Sequence, residues 1–232
     1  MPRHPRGRDG AGQSHYLDGK EWAGVAIMPK RPTVLARLVL VPLAAIALLL
    51  AMPSPGRDDG TAEAAINRGH VYLVRGIGNI FSLGMDSLAA KLRAKGVRQS
   101  VSNHLTWSTL ADRIVAEYKR NKQLAPIMLV GHSLGGNAVL LLASKLGKAG
   151  VPVRLVVVFD ATAATPVSAN VAEAVNFYYP RGRGNVLKPG PGFKGRIKND
   201  DLRDLPGLKH MNVDESATLH KRVVAKVLSV LG

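Results

Sequence analysis

Gly131-His132-Ser133-Leu134-Gly135-Gly136 places a serine in the G-x-S-x-G spacing. An apolar run, Ala125-Pro-Ile-Met-Leu-Val130, precedes it, and a segment with Val139, Leu140, Leu142 and Ala143 at helical spacing follows. Between a buried strand and an amphipathic helix, this spacing predicts a sharp turn. Small flanking residues let the backbone pass through a strained conformation, and the serine hydroxyl projects above the sheet. The first amides of the helix lack internal partners and point at the same place, so Leu134 N–H is a candidate oxyanion donor. Such a hydroxyl attacks acyl carbons, provided that a base takes its proton and a carboxylate holds the base. An ordinary glycine turn is the competing reading, and the strand before and helix after argue against it.

With these residues in that context, the sequence resembles the α/β-hydrolase superfamily, and within it the small, lidless lipases, esterases and thioesterases. The resemblance covers roughly residues 68 to 231 in element order, and the elbow is its diagnostic part. It implies the chain order serine, acid, histidine. Downstream of Ser133 stand two histidines, His210 and His220. His210 lies in a loop before the last helix, where superfamily members present their base; His220 falls inside that helix and is expected to be solvated. Many superfamily members carry the acid after the second strand beyond the nucleophile, yet no Asp or Glu occurs between Glu173 and Asp200. Asp160 ends the first strand after the elbow, a position some members use, and in a parallel sheet it shares an edge with Ser133. Asp201 and Asp204 are the alternatives. Relatives draw a second oxyanion donor from the turn after their first strand. Here that turn reads Arg75-Gly76-Ile77-Gly78, which makes Ile77 N–H the candidate, with Arg where relatives often have His. Gly76-x-Gly78 is also a partial dinucleotide fingerprint, but the third glycine would fall at Phe81 and no acidic residue ends the next strand.

The elements that must position these groups alternate. Val71–Val74 is a short apolar run, followed by Met85, Leu88, Ala89 and Leu92 at helical spacing. Val97–Val101 reads as a strand, Leu110, Ile114, Val115 and Tyr118 as a helix, and 125–130 as a strand buried on both faces. Gly135–Leu146 follows as a helix, then strands at Val153–Phe159 and Ala174–Tyr179, and a closing helix lined by Leu219, Val223, Val224, Val227 and Leu231. The pattern predicts an α/β fold with a mostly parallel central sheet, helices on both faces and no cap domain. Arg181–Lys198, rich in Gly, Pro and basic residues, is expected to be a long surface loop. His132 is read as a packing residue of the elbow, His70 and His104 as having no part in chemistry, and Asp86 as favouring the positive end of its helix.

Composition limits the alternatives. The 232 residues are 46% hydrophobic and 21% charged, enough to bury a core and too apolar for global disorder. The absence of cysteine removes disulfides, thiol nucleophiles and zinc–thiolate sites. No clustered His/Asp spacing suggests a metal, and the chemistry needs no cofactor. Thirty-two Lys+Arg against 16 Asp+Glu give a net charge of +16, which attracts anionic partners. Residues 1–60 hold only eight basic and five acidic residues, so the excess lies beyond them. Arg181, Arg183, Lys188, Lys194, Arg196 and Lys198 are candidates for contact with an anionic membrane surface; sparse aromatics disfavour base stacking on nucleic acid.

The N-terminal part reads as addressing. Residues 1–27 lack apolar periodicity and are expected to be disordered or untranslated, with Met28 as a second candidate start. From Met28, a basic stretch leads into an apolar run of 15 residues, Leu38–Met52, followed by Pro53-Ser-Pro-Gly56. As a helix that run reaches about 22 Å, short of a hydrocarbon core of about 30 Å, so residues 28–64 fit a cleaved secretory signal or an anchor lengthened toward Thr33. Residues 65–232 form the expected domain, exported to a periplasmic or membrane-anchored location. The sequence therefore predicts a serine hydrolase for a carboxylic ester or thioester, acting through acyl-Ser133 with Asp160 and His210. Its substrate would be a small or lipid-like acyl ester. The competing class is a catalytically silent protein of the same fold that binds anionic envelope surfaces through its basic face.

Overall fold

The structure is a computed structural model that describes residues 68–77, 83–163, 165–180 and 185–232. The leader, the signal or anchor segment, Gly78, Arg181 and Arg183 lie outside the described residues. Six strands form one sheet: β1 (His70–Arg75), β2 (Gln99–Asn103), β3 (Ile127–His132), β4 (Leu155–Phe159), β5 (Glu173–Tyr178) and β6 (Arg196–Asp201). All adjacent pairs are parallel, in the order β2-β1-β3-β4-β5-β6. The helices are α1 (Leu83–Arg93), α2 (Trp107–Arg120), α3 (Leu134–Lys148) and α4 (Ala217–Leu231).

Alternation along each strand divides the core between the two faces of the sheet. Tyr72, Val74, Leu129, Val156 and Val158 pack with Leu110 and Ile114 of α2 and Val139 and Leu142 of α3. Val71, Leu73, Met128, Val130, Val157 and Phe159 pack with Met85 and Leu88 of α1 and Val223 and Val227 of α4. The inner strands β1, β3, β4 and β5 are mostly apolar because both faces are covered. The register pairs Val74 with Gly131, His132 with Phe159 and Phe159 with Phe177. The carboxyl ends of β1, β3, β4 and β5 are therefore level, and the residues just beyond them share one edge.

The expected alternation of strand and helix breaks after β4. Among the described residues, no helix joins β4 to β5 or β5 to β6. The connecting loops cover the sheet instead, and their Val167, Val171 and Leu187 are buried in the same cluster as the α2 and α3 side chains. Side-chain amides replace the missing helical hydrogen bonds. Asn199 Oδ1 accepts from Leu187 N–H at 2.9 Å, Asn199 Nδ2 donates to Leu187 C=O at 3.1 Å, and buried Asn176 donates to Asn185 C=O at 2.8 Å.

The loop expected over residues 181–198 is corrected at its end, where Arg196–Asp201 forms the edge strand β6. Its sequence, RIKNDD, holds one apolar residue, because an edge strand whose outer face meets water is kept charged. The second strand also sits two residues later than expected, at Gln99–Asn103. Leu187→Ala is expected to cost about 2–4 kcal/mol, since it empties a buried site; Val186→Ala, at a 43% exposed neighbour, is expected to stay within about 0.5 kcal/mol. Denaturant unfolding of both variants of the full chain checks this, and equal effects would contradict a loop that serves as core.

Candidate active site

Ser133 stands between β3 and α3 with φ 56° and ψ −120°, and Asp160 just beyond β4 has φ 49°. These are the two non-glycine residues with positive φ among the described residues. Such backbone is unfavourable for an L-residue and persists where surrounding structure imposes it. Around Ser133 the imposing contacts are close backbone approaches. A Cβ on Gly131 would lie 2.2 Å from Gly135 O, and one on Gly135 would lie 2.1 Å from Val74 O. Only glycine lets α3 start so close to the ends of β3 and β1. Backbone hydrogen bonds run across the strand ends, Ser133 N–H to Phe159 C=O at 2.9 Å and Asp160 N–H to Phe177 C=O at 2.8 Å. Asn137 of α3 ties down the loop after Asp160, donating to Thr162 Oγ1 at 2.8 Å and accepting from Ala163 N–H at 3.0 Å.

Three side chains singled out from the sequence lie in one hydrogen-bonded line. Ser133 Oγ is 2.9 Å from His210 Nε2, and His210 Nδ1 is 2.7 Å from Asp160 Oδ2. With the proton on Nδ1, His210 donates to the carboxylate and accepts from the serine hydroxyl. Asp160 is fully buried, and its Oδ1 accepts from Tyr179 N–H at 2.9 Å. β5, whose end lacks a carboxylate, thus holds Asp160 in place through a main-chain amide. Asp201 pairs instead with Arg203 at 2.8 Å, and Asp204 is an exposed turn residue. Leu134 is the first residue of α3, so its amide has no carbonyl four residues back to bond.

Ile77 lies two residues beyond β1, with its side chain 60% exposed. The turn that carries it is held from both sides. Arg75 grips Asp86 of α1 with Nε–Oδ2 at 2.7 Å and Nη2–Oδ1 at 2.5 Å, and His104 Nδ1 lies 2.9 Å from Gly76 O. The Arg75 hydrogen bond holds the Asp86 carboxyl below its ordinary pKa. Asp86 therefore does more than favour a helix end, and His104, set aside in the sequence, anchors the turn.

Two more residues depart from expectation. His220 is buried, not solvated: its Nε2 donates to Asp214 C=O at 2.5 Å, and Lys91 Nζ donates to its Nδ1 at 2.7 Å. His132 reaches the His210 carbonyl through Nε2 at 2.8 Å. Asp214, which the sequence reading passed over, is fully buried with its Oδ1 3.4 Å from His132 Nδ1. Burial pushes its carboxyl up to about 7 and the His132 ring down to about 4. No local spacing marks this Asp, since the fold alone brings it behind the elbow.

Of the basic residues considered for an anionic surface, Lys188 and Lys194 are exposed, while Arg196 and Lys198 are paired on the sheet. Arg196 meets Glu173 at 3.2 Å, Lys198 meets Asp200 at 3.2 Å, and Lys226 of α4 meets Glu173 at 2.7 Å. Arg222 also pairs with Asp200 and lies over the Phe177 ring.

The thioesterase-domain family model matches residues 84–175, a span that holds Ser133 and Asp160 and stops short of His210. Comparison with curated proteins gives no match. Among solved structures, the chain is similar to human thioesterase 2, with 14% identity, TM-score 0.46, and 70% of this chain and 95% of that one covered. It is also similar to the RedJ thioesterase of the prodiginine pathway in Streptomyces coelicolor, with 13% identity, TM-score 0.45, and 72% and 91% covered. A third is Est1E from Butyrivibrio proteoclasticus, with 11% identity, TM-score 0.47, and 71% and 88% covered.

Because Ser133 sits in a left-handed conformation, Ser133→Gly is expected to be more stable than Ser133→Ala by about 1 kcal/mol, glycine being unstrained there. Denaturant unfolding of the two variants reads this difference, and the reverse order would contradict a strained elbow. The all-parallel sheet in this order, with the elbow between β3 and α3, is an α/β-hydrolase fold, and the match to the thioesterase-domain family over residues 84–175 marks a thioesterase- or esterase-like hydrolase.

Proposed function

We propose that this hydrolase cleaves a carboxylic ester or thioester through an acyl-Ser133 intermediate. The observation that carries the reading is the unbroken line from Ser133 Oγ through His210 to Asp160, with both contacts under 3 Å. His210 Nε2 takes the hydroxyl proton as Oγ attacks the acyl carbon, and returns it to the leaving oxygen or sulfur. Asp160 keeps the proton on Nδ1 and stabilises the imidazolium that forms. The Leu134 amide, joined by that of Ile77, bonds to the oxyanion. Water then attacks the acyl-enzyme, with His210 again as base, and regenerates the serine.

The rim favours an apolar acyl group. Ile77, Leu105 and Met211 are 60%, 78% and 51% exposed. Ile77 follows β1, Leu105 follows β2, and Met211 is next to His210, so all three border the edge that carries Ser133. The exported, membrane-facing setting read from residues 28–64 and the exposed Lys188 and Lys194 is part of the same proposal, as is an acyl substrate presented at such a surface.

The test is fluorophosphonate labelling of the full chain, with turnover of nitrophenyl esters and of an acyl thioester measured alongside. Ser133→Ala is expected to abolish labelling, and His210→Ala and Asp160→Asn to slow turnover by about 10²- to 10⁴-fold. A folded wild-type protein that neither labels nor hydrolyses would overturn the reading and favour the silent, surface-binding alternative.

A further inference from the structure

Behind the Ser133–His210–Asp160 line, three buried polar side chains take no part in the proposed chemistry: His132, Asp214 and His220. Two of them form a second imidazole–carboxyl pair. His132 Nε2 lies 2.8 Å from the His210 carbonyl oxygen, and His132 Nδ1 lies 3.4 Å from Asp214 Oδ1. A carbonyl can only accept, so Nε2 must carry a proton. Among the described residues, no other residue hydrogen-bonds to either Asp214 carboxyl oxygen. On the other side α1 closes the space, for a Cβ on Gly84 would lie 2.7 Å from Asp214 Oδ2. Lys91, through His220, fixes the Asp214 main chain at the opposite end of that residue.

We infer that His132 and Asp214 form a buried pair that positions His210 through its main-chain carbonyl, the pair holding two protons. This rests on the reading of His210 as the base for Ser133. With two protons, the Asp214 hydroxyl donates to Nδ1 and Nε2–H donates to the His210 carbonyl. With one, the ring has a single N–H for two acceptors. It then either keeps the His210 carbonyl and sets the Nδ1 lone pair against a carboxylate, or turns its proton to Asp214 and releases the loop. His132 is thus a positioning residue for the base, and Asp214 determines whether it holds.

The surrounding groups agree with the two-proton form. Burial keeps the Asp214 carboxyl protonated to about 7, opposed by its own backbone amide and by His210 and helped by the neighbouring Glu215. Burial also keeps the His132 ring neutral down to about 4; the nearby His210 favours the neutral ring, and the bond to the His210 carbonyl and the Asp160 charge oppose it. Burial and Lys91 lower the pKa of His220, against its bond to the Asp214 carbonyl, which raises it. The sign for stability follows. Between about 4 and 7 the folded chain binds a proton on Asp214 that the unfolded chain does not, so this residue's contribution falls as pH rises through that window.

The test separates the pair from the base it serves. Fluorophosphonate labelling rates of the full chain are measured against pH for wild type, His132→Leu, His132→Gln and Asp214→Asn, and histidine ¹⁵N NMR reads the His132 tautomer without reference to activity. His132→Leu is expected to label about 10- to 100-fold more slowly, as a misplaced base does. His132→Gln, whose amide still donates to the carbonyl, is expected to recover most of that rate. Asp214→Asn keeps a donor to Nδ1 at every pH, so its rate relative to wild type is expected to rise as pH passes about 7. NMR is expected to find Nε2–H and an unprotonated or hydrogen-bonded Nδ1 at about pH 6, below the Asp214 value. Equal losses in the Leu and Gln variants, a flat Asp214→Asn ratio, or an Nδ1–H tautomer in that NMR experiment would each overturn the pair. Absence of labelling in wild type would instead overturn the role of Ser133, with NMR still deciding the pair.

Discussion

Two missing Cβ atoms set the geometry of this molecule. Without side chains at Gly131 and Gly135, α3 begins within backbone contact of both β3 and β1, and the chain between them has no room except through a left-handed turn at Ser133. That turn lifts the hydroxyl off the sheet ahead of the first turn of α3, where His210 meets it. Register does the rest. Because His132 pairs with Phe159, the residue after each lies at the same carboxyl edge of the sheet, and Asp160 falls beside Ser133. A second left-handed residue there, held by the Phe177 carbonyl and the Tyr179 amide, gives the carboxylate a fixed direction.

The central part of this arrangement is legible in the sequence because it is local. The β-branched run Val156-Val157-Val158 and the glycine spacing around Ser133 are patterns within a few residues, and they mark β3, α3 and β4 directly. Asp160 and His210 follow from the chain order of a resembled superfamily, and the structure sets them 2.7 Å apart across fifty residues of sequence. What is not legible is non-local or atypical. β6 carries charges where a buried strand would carry valines, since its ion-pair partners are Glu173 and Arg222 of α4. His220 reads as solvated because its sequence neighbours are partly polar, yet Lys91 and the Asp214 carbonyl close over it. Asp214 is far in sequence from His132, the ring it faces, and only the packing of α1 on the turn before α4 makes it significant.

The high positive charge has a similar lesson. A count of cations along residues 181 to 198 suggests one basic surface, but Arg196 and Lys198 sit on β6 beside Glu173 and Asp200 and are partly neutralised by them. Exposed, paired charges of this kind add little stability each. Their effect is on the edge of the sheet, which a flat apolar strand would leave open to pairing with another chain. Charge that looks like a binding surface in one dimension is in part a boundary in three.

The helix-free connections after β4 bear on how such a fold can change over time. Where a helix joins two strands, an insertion must preserve a packed face along its whole length. Between β4, β5 and β6, the loops are fastened to the sheet by a few apolar side chains and by Asn176 and Asn199, and these fasteners are points, not continuous faces. Length and sequence can vary between them while the strand ends stay level, because the fasteners and not the loop path carry the register. That leaves one side of the reactive edge open to lengthening into a lid or shortening further, with the elbow and its neighbouring strands untouched: a small hydrolase whose chemistry and whose substrate boundary are free to evolve at different rates.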